Sequence, residues 1–446
     1  MSVRLPRTFP LPTVAVEDAV EDQFRLVECV ARHFEGQQLF EADAGVVPGL
    51  GRPRTTAQVE SVLADFFGAP AAALVQGAGT GAIRAALGAV LGAGDPLLVH
   101  RAPVYRTTGV TLRGLGVETV EADFDDRAEL DRALSSGRFR WAFVQHTRQR
   151  AADSHDPGEV LAACRAAGVR TIVDDNYAVL RVPACGVQMG ADASCFSLFK
   201  LHGPEGVGAV VGSRELVGRV HDDNYSGGGQ VQGHQALDAL RALSHVPVMW
   251  AVQSRTGAEI AERLAAGEVP GVAEVRIANV QDRCVLVRLD RPVARALPAA
   301  AARYGAASYP VGSNSRYEIA PLVYRMSASA LEDAPELAEW TVRVNPMRAG
   351  ADLVIDILRR ALRDLGAAPA TSAGTGASPV RGPERTAPPD PSEPAPLPPS
   401  AAPLPASTAP LPVSAPESTP AAPESCSTTP CAGHTTHGLP GLREGS

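Results

Sequence analysis

The chain has 446 residues, 45% of them hydrophobic and 20% charged, with a formal net charge of -8. That length and apolar content suit two or three domain-sized soluble units, and an acidic balance with no compensating basic face excludes a general nucleic-acid binder. No apolar run approaches the ~18 residues that span a bilayer, so no membrane association is expected. The first residues, MSVRLPRTFPLPTV, lack the apolar core of a secretory signal. Seven cysteines at irregular spacing fit a reducing, cytoplasmic setting better than a disulfide framework.

Residues 15–34 alternate acidic and apolar positions at helical spacing, which predicts an N-terminal amphipathic helix. A second helix is expected with Thr55 or Thr56 as N-cap and Gly68 just past its end. Apolar strand segments follow at 71–76, 96–100, 117–122, 141–146, 170–175, 193–199 and 206–212, with helical patterns at 80–92, 126–135 and 157–167. Val-rich runs alternating with helices predict an α/β domain on a mostly parallel sheet. Only the short loop 201–206 joins the last two strands, which allows one antiparallel pair there. A long helical pattern from Gly233 then leads to strands near 274–290, a helix at 293–303, a strand at 341–347 and a last helix at 351–366, a smaller α+β unit. The expected organisation is a helical arm (1–45), a large α/β domain (46–248), a small C-terminal domain (249–366) and a tail (367–446). The tail carries half of the 38 prolines and no aromatic residue. It has too little apolar surface to offset its ordering entropy and reads as disordered.

Among 41 basic residues only one is lysine, Lys200. In an Arg- and Ala-rich chain, a retained lysine suggests a need for an amine that can lose its proton, which arginine cannot do; the alternative is a chance surface survivor. Phe196, Leu198, Phe199 and Leu201 around it favour the neutral amine by desolvation, the form that adds to a carbonyl as a Schiff-base nucleophile. The loop GAGTGA (77–82) follows a strand and opens a helix, so its N–H groups can converge on an anion. Gly77, Gly79 and Ala82 satisfy a loose dinucleotide fingerprint, but the next strand ends in His100-Arg101 where a ribose-binding acid would stand. A single phosphate monoester and a plain glycine turn are the other readings. Asp174 and Asp175 end the strand 170–175, where open α/β sheets bind ligands. Asp174 there can hold a ring nitrogen as a cation, and Asp175 is read as a cap for the following turn. Ser197 precedes the lysine by three residues, and Tyr105 follows the second strand. In chain order these are the parts of a pyridoxal phosphate site.

This ordered set resembles the fold-type I PLP-dependent enzymes of the aspartate aminotransferase superfamily, over about residues 45–366. It is most similar to the branch of cystathionine synthases, methionine γ-lyase and related bacterial aminotransferase-like proteins. The resemblance implies an α/β fold-type I PLP-dependent transferase architecture and pyridoxal 5'-phosphate as cofactor. It implies that Gly79, Thr80, Gly81 and Ala82, with Ser197, hold the phosphate. Tyr105 would stack on the ring, Asp174 pair with the ring nitrogen, and Lys200 bind covalently. Arg343 of TVRVNPM would meet the substrate carboxylate as a bidentate fork. A homodimer is implied, in which Arg52, Ser226 and Gln230 reach the neighbour's phosphate. Two departures stand out: the Tyr-x-Arg of the dimer arm is not intact around GLGRPR, and VQHTRQR (144–150) replaces an Asn-Pro turn, leaving Gln145 as the candidate beside the ring.

The expected function is a PLP-dependent enzyme acting on an amino acid, an aminotransferase first and a C–S lyase or related elimination or replacement enzyme as the alternative. Tyr105 is the acid that elimination would need. A nicotinamide-binding oxidoreductase, or a non-catalytic ligand-binding protein on the same scaffold, is more remote. The tail also carries Cys426, Cys431, His434 and His437. Their spacing is unlike a zinc finger, so no metal site is expected. Removing residues 367–446 is therefore expected to leave the cofactor spectrum and turnover unchanged. Stoichiometric zinc in the full chain, with activity lost on truncation, would contradict that reading.

Overall fold

A computed structural model describes residues 3–366, apart from 226–227, 280–281, 312–313, 328–330 and 332–333. Ser226 and the tail's Cys426, Cys431, His434 and His437 lie outside the described residues.

Helix α1 (Val16–His33) covers the predicted N-terminal segment and buries Ala19, Leu26 and Cys29 on one stripe. Helix α2 (Arg54–Phe66) starts earlier than its threonines suggested. Asp43, from the preceding loop, accepts from Arg54 N at 2.7 Å and Thr55 N at 2.9 Å. With the orphan first-turn donors met from outside the helix, Thr55 and Thr56 are freed to pack inside it, and both are buried.

The large sheet has strands β1 (Ala71–Gln76), β2 (Pro96–His100), β3 (Glu118–Ala122), β4 (Trp141–Gln145), β5 (Arg170–Asp174), β6 (Ala193–Ser197) and β7 (Val207–Gly212), in spatial order β1-β7-β6-β5-β4-β2-β3. Pairs among β2 to β6 are parallel. β7 runs antiparallel to both β6 and β1, the reversal that the short 201–206 loop allowed. The carboxyl ends of β1, β2, β4, β5 and β6 therefore share one edge, where ligands of such sheets bind. Helices α3 (Ala78–Gly88), α4 (Arg106–Leu115), α5 (Arg127–Ser135), α6 (Pro157–Ala166) and α7 (Arg214–Asp223) cover the sheet. α8 (Gly233–Leu243) packs on α2, and the 20-residue α9 (Val246–Ala265) lies against α1 and extends to a second sheet. Leu63, Phe196, Leu237 and Trp250 belong to one of the resulting core clusters.

A second, antiparallel sheet has the order β10 (Leu322–Arg325), β11 (Thr341–Asn345), β9 (Cys284–Leu289), β8 (Val272–Ala278). α10 (Leu297–Ala302), α11 (Leu337–Trp340) and α12 (Ala351–Gly366) accompany it. α12 buries Val354, Ile355, Leu358, Ala361 and Leu362 on one face, the 3.6-residue stripe of a helix docked on a sheet.

Glu60 is an interior carboxylate that ties α2 to β1 and to the segment before α2. Its Oε1 accepts from Leu74 N of β1 at 2.8 Å, and its Oε2 accepts from Arg52 Nε at 2.6 Å. Burial pushes its carboxyl up to about 7 against the pull of Arg52 and the Leu74 N–H. Since the folded value lies above the unfolded one, Glu60's contribution to stability is full at low pH and lost as pH rises through about 7. The difference in melting temperature between wild type and Glu60→Gln should therefore move against the wild type from pH 5 to pH 8. Parallel melting profiles would contradict this.

Candidate active site

Each predicted residue arrives at the common edge by a local rule. Gly77 ends β1 with φ +96, a left-handed turn that suits glycine, and its N–H and that of Ala78 both donate to Gly206 O. This pins the start of α3 to the loop before β7. Gly79 and Thr80 occupy the second and third positions of α3, where backbone N–H groups have no intrahelical acceptor. A Cβ on Gly79 would lie 2.2 Å from Asn176 Oδ1, and one on Gly81 2.0 Å from Gln76 O. The structure thus divides the expected phosphate cradle. Gly81 N already donates to Gly77 O at 2.7 Å and Ala82 is buried in the core, so the donors open to an anion are those of Gly79 and Thr80.

Lys200 follows β6 on a single 3-10 turn (Phe199–Leu201) and is half-buried. Ser197 Oγ accepts from Lys200 N at 3.2 Å and so shapes that turn. The Lys200 amine stands 3.8 Å from the centre of the Tyr177 ring and 5.9 Å from that of Tyr105. Burial lowers its pKa, opposed by Tyr105 and Asp174, which favours the neutral, nucleophilic amine. Tyr105, 37% exposed, stands just before α4; burial raises its hydroxyl and keeps it protonated. Asp174 is buried at the end of β5, and its Oδ1 accepts from Asn176 N at 2.9 Å and Asn176 Nδ2 at 2.7 Å. Burial raises the Asp174 carboxyl, so a cationic partner is what would hold it ionised.

These groups line one pocket of about 360 Å3, counting the space at its mouth: Thr80, Tyr105, Gln145, Asp174, Asn176 and Lys200 among them. Gln145 at the end of β4 donates to Thr147 O at 3.2 Å. Five lining residues had not been singled out from the sequence: Ile83, Thr107, Thr147, Asn176 and Tyr177. Thr107 pairs its hydroxyl with that of Thr80 at 3.0 Å, joining the starts of α3 and α4. Asn176 is the hub: besides holding Asp174, its Oδ1 accepts from Ser197 N at 3.1 Å. An Asn two residues after an Asp at a strand end is the available sequence signal, because short polar side chains bond neighbouring backbone.

Other expected residues lie elsewhere. Arg343 on β11 does not line this pocket; its guanidinium stacks on Tyr324 at 4.1 Å and its Nε donates to Arg325 O at 2.8 Å. Its two terminal nitrogens make no hydrogen bond among the described residues. Arg52 is engaged with Glu60, and Gln230 donates to Gly51 O, so within one chain neither reaches the pocket. Asp175 is fully buried, with Oδ1 2.6 Å from His146 Nδ1 and Oδ2 accepting from Gly186 N at 3.0 Å. It does more than cap a turn.

The sheet, the anion-binding helix start, the interior acid and the desolvated lysine together define a PLP-dependent enzyme of fold type I. Residues 50–284 match the family of Cys/Met metabolism PLP-dependent enzymes, and the chain belongs to it. Residues 258–358 match the YhfS-like C-terminal domain. The chain is 46% identical over 360 residues to the uncharacterized protein YhfS of Escherichia coli (strain K12), spanning 80% of this chain and all of that one. The crystal structure of the pyridoxal-5'-phosphate dependent protein YhfS from E. coli superposes with a TM-score of 0.79 over the same shares. Cystathionine γ-synthase from Xanthomonas oryzae pv. oryzae, at 19% identity, shares the fold with a TM-score of 0.59 over 78% of this chain and 98% of that one. The cofactor is pyridoxal 5'-phosphate, and the residues present fit it: a glycine cradle with open donors, an acid raised by burial, and an amine lowered by burial.

The two aspartates are expected to separate by measurement. Asp175→Ala leaves His146 without its buried partner and should cost about 3 kcal/mol or more of stability, read by denaturant melting. Asp174→Ala should melt closer to wild type while losing most turnover. The reverse pattern would show that the roles along this strand are exchanged.

Proposed function

We propose that the enzyme eliminates or replaces a sulfur or other leaving group on the side chain of an amino acid, with Lys200, Tyr105 and Asp174 as its working residues. The observation that carries this reading is the pairing of a desolvated amine, Lys200, with a protonated phenol, Tyr105, across one pocket. Aminotransferase was the first expectation from the sequence. The relatives whose names state an activity support the alternative instead. O-Succinylhomoserine sulfhydrylase of Mycobacterium tuberculosis (strain CDC 1551 / Oshkosh) is 31% identical over 183 residues, 40% of this chain and 44% of that one. Cysteine desulfurase of Frankia sp. (strain EuIK1) is 38% identical over a shorter stretch of 86 residues, 18% of this chain and 19% of that one.

Bound pyridoxal phosphate supplies the electron sink for a carbanion at the substrate's Cα. In this reading the N–H groups of Gly79 and Thr80, with the Ser197 hydroxyl, bind its phosphate. The Asp174 carboxylate, fixed by Asn176, holds the ring nitrogen protonated, because a neighbouring negative charge raises a cation's pKa. Arg343, whose terminal nitrogens bond no described residue but which does not line the pocket, is the residue this reading assigns to the substrate carboxylate. The Lys200 amine removes the Cα proton, and the Tyr105 hydroxyl gives its proton to the departing group. Two copies pair across the Arg52 and Gln230 segment, beside which Tyr225 is 67% exposed. In this reading the enzyme works in the cytoplasm, as the irregular spacing of its cysteines suggests.

The test is a panel of amino acids with side-chain leaving groups, including cysteine, cystathionine, methionine and O-succinylhomoserine. Ammonia and keto acid released without any acceptor are the expected products. Lys200→Ala should abolish them, and Tyr105→Phe should lower kcat about 100-fold, the usual worth of a positioned acid. Keto acid formed only with an amino acceptor, and no ammonia, would establish transamination and sink the proposal.

A further inference from the structure

Tyr177 lines the Lys200 pocket and carries none of the roles assigned so far. It is 8% exposed, and its ring centre lies 3.8 Å from the Lys200 amine, against 5.9 Å for Tyr105. An approach in the ring plane would be stopped farther out by the ring's own edge. The amine therefore sits on the face, where the π system attracts a cation.

The backbone is strained to hold the ring there. Tyr177 has φ +65, the left-handed region that is costly for a bulky side chain. Asp175 sets the turn: its carbonyl oxygen accepts from Ala178 N and Val179 N, both at 3.0 Å, while His146 and Gly186 hold its carboxylate. Glycine or asparagine would relieve the strain, but neither offers the amine a ring. Strain of this kind collects at functional sites.

The charges around Lys200 leave the ring a task. Burial works against an ammonium there, opposed from a distance by Tyr105, Asp174 and Asp282. Burial keeps Tyr105 protonated, and in the proposed reading Asp174 serves the cofactor's ring nitrogen. Asp282 already accepts from the Tyr324 hydroxyl at 3.0 Å and from Asn345 Nδ2 at 3.3 Å. Arg343 and Tyr105 are the charged or titratable groups acting on Tyr177 itself. Lys200 forms no ion pair among the described residues, so the Tyr177 face is the group in contact with any charge it acquires.

We propose that Tyr177 is a further catalytic residue, whose ring face stabilises Lys200 while the lysine carries the proton taken from the substrate's Cα. The inference rests on the reading of Lys200 as the base. In that step the Cα–H bond breaks, its electron pair passes to the bound cofactor, and its proton goes to Nζ. The attraction grows with the charge, so it favours the transition state over the neutral amine that precedes it.

Lys200 is the only lysine, so lysine labelled with a heavy isotope at Cε gives the full-length protein a single side-chain resonance. Its titration by NMR in the cofactor-free chain reads the amine's pKa without any turnover. Tyr177→Leu should lower that pKa by about one unit, a roughly tenfold weaker hold on the proton. Leucine keeps the site apolar, and Leu180 already adopts the same backbone at φ +62. Any water it admits would raise the pKa instead. Tyr177→Phe keeps the face and should titrate as wild type does. In the loaded enzyme, kcat for ammonia release should fall about tenfold in Tyr177→Leu with KM unchanged, and Tyr177→Phe should recover most of that loss. Melting temperatures close to wild type show that the fold is kept. An unshifted or raised pKa in Tyr177→Leu would overturn the inference. So would a Tyr177→Phe as impaired as Tyr177→Leu, because the hydroxyl and not the face would then matter. Failure of the underlying reading shows separately, as ammonia release that survives in Lys200→Ala.

Discussion

The site depends on the hydrogen bonds of one residue, Asn176. Asn176 donates from its backbone N–H and from Nδ2 to Asp174 Oδ1, and its Oδ1 accepts from Ser197 N, so it fixes the end of β5 to the end of β6. The same side chain fills the space a Cβ would need on Gly79, which seats the start of α3. Three pieces of backbone, distant in sequence, are thereby held in one register. Each carries one part of the chemistry: the anion donors of α3, the acid of β5 and the lysine turn after β6.

Desolvation then sets the protonation states around that frame. It lowers the Lys200 amine and raises the Asp174 carboxyl and the Tyr105 hydroxyl. Desolvation thus favours the uncharged amine on Lys200 and the uncharged carboxyl on Asp174, and keeps the Tyr105 phenol protonated. In the proposed reading the cofactor's ring nitrogen would be the cation that restores the charge on Asp174, so that binding it and charging the site would be one electrostatic event. Asp175, one residue further on, faces the opposite way into His146 and Gly186, as alternation along a strand end requires.

Much of this was legible in the sequence, for physical reasons. The strand segments at 71–76 and 96–100 coincide with β1 and β2, because Val and Leu runs between glycine-rich turns leave little choice. The single lysine among so many arginines marked its own position. Helix α4 escaped notice because RTTGVTLRGL carries two glycines, three threonines and a valine, all poor helix formers, and is held by the burial of Thr108, Thr111 and Leu112. The four-residue β10 is too short for any periodicity to show. Asn176 and Tyr177 were passed over because their importance lies in contacts with β6 and Lys200, which no local pattern encodes.

The central claim is that Lys200 is the residue that bonds to the cofactor's aldehyde. Lys200 is the chain's only lysine, so the N-terminus is the one other amine available to borohydride. Reduction of the PLP-loaded protein, digestion and mass spectrometry should find the pyridoxyl adduct on the peptide containing Lys200 and nowhere else. An adduct confined to the N-terminus, or none in a protein that keeps its cofactor through dialysis, would contradict the account.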